Sequence, residues 1–291
     1  MTVPPHDEYF LDASAVRRRF DRTGANFERS AQVHGEIRAR LLERLEIVRL
    51  QPRVIVDLGT AHGSGAKALS ARYPSARVIA MDLSCHMLQH AARQQRLFRR
   101  FARVAADAQQ LPLAASSVDL LFSNLMLQWC ADPDAVFREV RRALRPGGLL
   151  VFTTLGPDTL KELRYAWSID AYVHVHRFID MHDLGDALLR TGFAEPVMET
   201  ERLTVTYPDL ASLQQELQGS GSCNLAAGRR RGLGGQHALL TARERYESLR
   251  CRGVLSVTVE VIYGHAWAGA IKPAASAGEV RVPLTSLRHR K

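Results

Sequence analysis

Cysteine is scarce and scattered in this chain: Cys85, Cys130, Cys223 and Cys251 form no CxxC or CxxxC pair. That spacing argues against a disulfide framework and a structural zinc site, and no metal is expected. No apolar run approaches the roughly 18 residues that span a bilayer. The opening MTVPPHDEYFLD is acidic and lacks the basic and apolar regions of a secretory signal, so a cytoplasmic protein without membrane contact is expected. Aromatic residues, 7% of the total, do not interleave with the basic runs, which speaks against a stacking platform for single-stranded nucleic acid. Internal repeats are also lacking.

What is present is an ordinary globular balance, 46% hydrophobic and 24% charged over 291 residues, enough to bury a large core without staples. The formal net charge of +9 gathers in Arg17, Arg18 and Arg19, in Arg141 and Arg142, in Arg229, Arg230 and Arg231, and in the terminal RHRK. Each run alone reads as a solvated face, while the sum favours an acidic partner.

From Arg53 to about Thr154 apolar runs alternate with helical stretches: RVIVDLG, AKALSARYP, RVIAMDLS, CHMLQHAARQQ, RVAADA, VDLLFSN, PDAVFREVRRAL and GLLVFTTL. This order predicts an α/β fold with parallel strands covered on both faces, and the nearly unbroken apolarity of the strands agrees. Pro74 and the turn Pro146-Gly147-Gly148 close two of the helical patterns. Residues 1–48 read as a helical lid and 49–269 as the main domain, with helical insertions at about 157–190 and 210–250. FAEPVMETERLTVTY reads as a strand pair, SVTVEVIYGHAW as a last strand, and 270–291 as a disordered basic tail.

The chemistry concentrates at strand ends. VIVDLGTAHGSG ends a strand at Asp57 and turns through Gly59, Gly63 and Gly65 into a helix, so a ligand can approach bare backbone and free amides. Asp82 ends the second strand, where a carboxylate can accept both hydroxyls of a ribose, and Asp107 ends the third, within reach of an adenine amino group. A nucleotide-like ligand is indicated. NAD is the rival, but the G-x-G-x-x-G spacing is absent.

DLGTAHGSG, MDLS, ADAQQLPL, FSNLMLQW and LRPGGLLVFTTL resemble the successive motifs of class I methyltransferases that use S-adenosylmethionine. The resemblance implies a Rossmann-like seven-stranded sheet of order 3-2-1-4-5-7-6. It further implies that Asp57, Gly59 and Gly63 face the methionine end of the cofactor, Asp82 the ribose with Leu83 and Met87 beside it, Asp107 and Ala108 the adenine, and Asn124 the edge of the fourth strand. Ala61 stands where that family has its middle glycine.

Further segments, FDRTGANFE, LGPDTLKELRYAW, HVHRFIDMHDLGDALLRTGF, LQGSGSCN and EVIYGHAW, resemble the malonyl-acyl-carrier-protein methyltransferase family of the biotin pathway. The resemblance implies methyl esterification of the free carboxylate of a malonyl thioester, on carrier protein or coenzyme A, by a monomer. An ionised carboxylate needs no general base, so no catalytic acid or base is expected and positioning is the main task. Arg177 is the expected carboxylate fork, with Tyr165 and His176 as pocket residues and Phe20 and Phe27 packing the lid. Phe27 and Ser256 depart from residues common in the family. Arg229 to Arg231, Lys161 and Arg164 are candidates to meet the acidic carrier protein. DTLKELR, LQGSGSCN and VTYP also look like a complex I assembly factor that hydroxylates protein arginine, and a non-catalytic binding module is a third reading.

Overall fold

A computed structural model describes residues 11–23, 27–95, 101–229 and 236–269. The tail from 270 and Arg230 and Arg231 lie outside them. Seven strands form one sheet in the order β3-β2-β1-β4-β5-β7-β6. They are β1 (Val54–Leu58), β2 (Arg77–Asp82), β3 (Ala102–Ala105), β4 (Val118–Asn124), β5 (Leu144–Leu155), β6 (Phe193–Tyr207) and β7 (Leu255–Ala268). The first five pair in parallel, and β7 runs antiparallel to both β5 and β6.

Both faces of the sheet are buried, as the apolar strands require. Ile55, Phe122, Leu149 and Val151 face one layer, where Ala66 and Leu69 of α4 (Ser64–Arg72) and Ile37 and Leu41 of α3 (Gln32–Arg44) cover them. Val56, Leu121, Leu150 and Phe152 face the other, packed by Phe137 and Val140 of α6 (Pro133–Ala143) and Leu184 and Leu188 of α8 (Met181–Arg190). Helix starts follow the polar residues before them: Ser84 caps α5 (Cys85–Ala91), Asp132 caps α6, Asp180 caps α8 and Asp209 caps α9 (Leu210–Gly219).

One expectation changes. FAEPVMETERLTVTY is one 15-residue strand rather than a pair, because nothing at its centre can turn. Its irregularity lies near the start, where the register with β7 shifts between Ala194 and Val197 around Glu195, whose φ is 50°. Ser256, where the sequence departs from residues common in the resembled family, sits inside β7 opposite Thr206.

The basic runs are largely spent on structure. Arg141 donates to the carbonyls of Gly192 and Gly269, and Arg142 to those of Leu111 and Leu113. Arg164 holds the carbonyls of Pro157 and Thr159, Arg229 those of Leu225 and Ala226, and Lys161 pairs with Asp158 at 4.0 Å.

Gly264 lies opposite Phe152 in the β5–β7 register, and a Cβ there would run into the Phe152 ring and come within 2.9 Å of Met198 Sδ. Gly264→Ala is expected to destabilise the fold by about 1–3 kcal/mol, as overpacking does. Urea unfolding measures it, and an unchanged midpoint would mean that the ring yields freely.

Candidate active site

The tips of β1, β2 and β4 and a helical strap over them build the site. After β1 the backbone turns through Gly59, Ala61 and Gly63 with φ of 76°, 47° and 80°, left-handed at every second residue. Only glycine adopts this without strain, so Ala61 carries a cost of about 1–2 kcal/mol. The turn is tied to β2, since Gly59 and Thr60 N–H donate to the Met81 carbonyl and Ala61 N–H donates to Asp82 Oδ2 at 2.9 Å. The other Asp82 oxygen accepts Ser84 N–H at 2.9 Å, which fixes the carboxylate plane.

A first cleft, about 100 Å³, is lined by Asp82, Leu83, Asp107, Ala108, Gly59 and Asn124. Asp107 accepts Gln109 N–H through Oδ1. Cys130 also faces this cleft, and burial, with help from Asp107, holds its thiol up at about 12, so it offers no thiolate. A second cleft of about 300 Å³ is lined by Asp57, Gly59, Thr60, His62, Ser64 and Arg38. Asp57 is buried, accepts Thr60 Oγ1, and lies so close under α4 that a Cβ on Gly65 would stand 2.7 Å from it. Burial raises both Asp57 and Asp82 to about 6. Arg38 is the cation whose charge favours ionised Asp57.

Two expected cofactor residues stand elsewhere. Gly63 lines neither cleft; it heads α4, and a Cβ there would meet Ala91 at 2.9 Å and Phe101 at 3.0 Å. Met87 is wholly buried in α5, its N–H donating to Ser84 Oγ. Asn124 does line both clefts, but its amide is committed: Oδ1 accepts from Thr153 Oγ1 at 2.9 Å and Nδ2 donates to the His34 carbonyl at 3.2 Å.

The strap comprises α1 (Ala13–Thr23), α2 (Phe27–Ser30) and α3. Asp21 accepts from Ser84 Oγ, Phe20 meets the Trp129 ring edge-on at 5.3 Å, and Phe27 packs tilted against His62 at 4.9 Å. On its far side Arg19 donates to the Gln218 carbonyl, and a Cβ on Gly221 would stand 2.9 Å from Phe20.

A third cavity of about 440 Å³ opens beyond Leu125 and Trp129, which it shares with the first cleft. Its walls are mainly apolar, with Trp167 stacked on His174 at 4.1 Å. No lysine or arginine is among the described residues that line it. His176 is brought to it, 6% exposed, between Trp129 and Phe178. Its Nε2 is buried with no hydrogen-bond partner among the described residues, and burial plus Arg164 lower its pKa to about 4. Arg177 does not reach the cavity; it is exposed, pointing away between inward-facing His176 and Phe178. Tyr165 is also outside, half exposed beneath the Arg245 guanidinium at 4.6 Å. Sequence reading missed Arg38, His34 and Trp129; the i, i+4 spacing of His34 and Arg38 on a helix was the available signal.

The clefts fit S-adenosylmethionine. The buried Asp57 carboxylate and the Arg38 guanidinium in one cleft suit its zwitterionic amino acid, and the Asp82 carboxylate beside small residues suits a ribose.

A methyltransferase-domain model matches residues 56–152, the stretch that carries these tips. The YcgJ protein of Bacillus subtilis shares the fold at a TM-score of 0.55 and 15% identity, over 79% of this chain and 98% of that one. The class is thus that of the methyltransferases, whose methyl donor here is S-adenosylmethionine. Two curated relatives bear the name malonyl-[acyl-carrier protein] O-methyltransferase. That of Methylovorus sp. is 49% identical over 90% of both chains, and that of Laribacter hongkongensis 47% identical over 92% of this chain and 93% of its own. At this likeness the chain belongs to the malonyl-[acyl-carrier protein] O-methyltransferase family.

Ala61→Gly is expected to stabilise the protein by about 1 kcal/mol by removing left-handed strain, with S-adenosylmethionine affinity kept. A lower melting temperature for the variant would contradict this. Asp57 and Asp82 are ionised above about pH 6 and protonated below it, so binding that needs the carboxylates is present above that pH and lost beneath it. Calorimetry should show S-adenosylmethionine affinity falling about tenfold or more from pH 7.5 to pH 5; a flat profile would exclude the ionised carboxylates as ligands.

Proposed function

We propose that the chain transfers a methyl group from S-adenosylmethionine to the free carboxylate of a malonyl thioester on acyl-carrier protein, giving the methyl ester that serves biotin synthesis. The observation that carries this reading is the identity of 49% over 90% of the chain with a relative of that name. The site supports it: cofactor clefts meet an apolar, covered cavity large enough for a thioester as well as its acyl group.

Bound in those clefts, S-adenosylmethionine would supply an electrophilic methyl carbon for the lone pair of an acceptor oxygen, its C–S electrons staying on sulfur. The protein's work is to bind, orient and keep water out. Arg38 and Asp57 hold the amino-acid end, Asp82 the ribose, and Asp107 with Ala108 the adenine. The apolar cavity leaves the carboxylate poorly solvated, and therefore a better nucleophile than in water. His176 offers its unpaired Nε2 to the acceptor. The net charge of +9 draws an acidic carrier protein toward the site.

The test is incubation of the chain with malonyl-acyl-carrier protein and S-adenosylmethionine, followed by mass spectrometry for the gain of one methylene. No gain under conditions where calorimetry detects S-adenosylmethionine binding would overturn the acceptor. His176→Phe is expected to raise the acceptor KM about tenfold, the weight of one hydrogen bond to a charged group, without altering cofactor affinity. Arg177→Ala, exposed as the side chain is, should move that KM less than about twofold.

A further inference from the structure

We propose that His34 orients the acceptor carboxylate at the point of methyl transfer, an inference that rests on the carboxylate acceptor named above. Of the described residues His34 alone lines all three clefts, the two that suit the cofactor and the apolar cavity beyond. A methyl group passing from cofactor to acceptor must cross where those clefts meet.

The position of His34 is fixed from the sheet. Thr153 Oγ1 donates to Asn124 Oδ1, and Asn124 Nδ2 donates to the His34 carbonyl, so the ends of β4 and β5 hold α3 at this residue. The ring itself packs edge-on to Phe27 at 5.8 Å, and among the described residues neither ring nitrogen has a hydrogen-bond partner.

Two neighbouring side-chain amides are already engaged. Gln128 donates through Nε2 to the Leu125 carbonyl and accepts from Thr154 through Oε1. Both ends of the Asn124 amide are used. His34, alone among the described residues in lining all three clefts, has a ring nitrogen to give.

Its charge state suits the work. Burial, then Arg38, hold the imidazole down at about 4, so at neutral pH it is uncharged and carries one N–H. A cation there would repel the sulfonium and draw negative charge from the nucleophile. A neutral N–H can bind one carboxylate oxygen while the other forms the new O–C bond; the C–S electrons remain on sulfur, and the imidazole keeps its proton throughout.

Wild type, His34→Leu and His34→Gln are to be compared on malonyl-acyl-carrier protein, with S-adenosylmethionine affinity from calorimetry and melting temperature for each. His34→Leu should lose about 10²-fold in kcat, the scale of one lost preorganised donor, with cofactor Kd held within about twofold. His34→Gln, which restores an N–H, should recover to within about tenfold of wild type. His34→Met replaces the leucine variant should that one melt early.

Wild-type turnover by the apolar variant, parallel loss of cofactor affinity, or a glutamine variant as slow as leucine would each overturn the role of His34 alone. Absence of ester from the wild type would instead overturn the acceptor, and this inference with it, so the two failures are told apart.

Discussion

The Asp82 carboxylate, a charge kept largely from water at the end of β2, holds the site together. One oxygen takes the N–H of Ala61 in the left-handed turn after β1, and the other takes the N–H of Ser84, which caps α5 and receives the strap through Asp21. Burial without such bonds would leave the group protonated or expelled. With them its pKa is still pushed to about 6, so the ligand-free protein maintains a costly anion at neutral pH. A diol that donated to it would remove part of that cost, so the carboxylate that orders the turn is also the one proposed to meet the ribose.

The Ala61 strain belongs to the same arrangement. Its N–H donates to Asp82 at the same residue where the chain bends with a φ of 47°. Alanine at this left-handed position keeps the hydrogen bond and lowers the stability of the turn, a local conflict of the kind tolerated at working sites.

Much of this was legible in the sequence because the signals were local. Asp57, Asp82 and Asp107 each end an apolar run, and the alternation of runs with amphipathic stretches defines the sheet and its covering helices. What was lost depended on contacts between distant segments. Gly63 reads as part of a ligand turn, yet its lack of a Cβ serves packing against Ala91 and Phe101. Arg177 has the right chemistry for a carboxylate, but sits between two inward residues of an extended segment and points out. The one long β6 is hidden because Pro196 suggests a turn, whereas it marks a bulge on an edge strand. Arg141, Arg142, Arg164 and Arg229 look like a surface for an acidic partner, while their guanidinium groups bind carbonyls.

The strap gives the two ligand regions a common wall. On one side Asp21 and Arg17 reach Ser84 and Cys85 at the start of α5; on the other Arg19, Thr23 and Ser30 lie against Gln218, Gly219 and Gly221 beside the third cavity. The two glycines admit this contact, since a Cβ on either would strike the strap. Trp129 joins the same wall from the core, touching Phe20 of the strap and His176 of the cavity. A ligand under the strap in the first cleft therefore shares a wall with one held in the third cavity. In a cavity whose described lining holds no lysine or arginine to seize a carboxylate, such a shared wall is a physical means of placing an acceptor oxygen beside a sulfonium methyl without binding it tightly enough to blunt it.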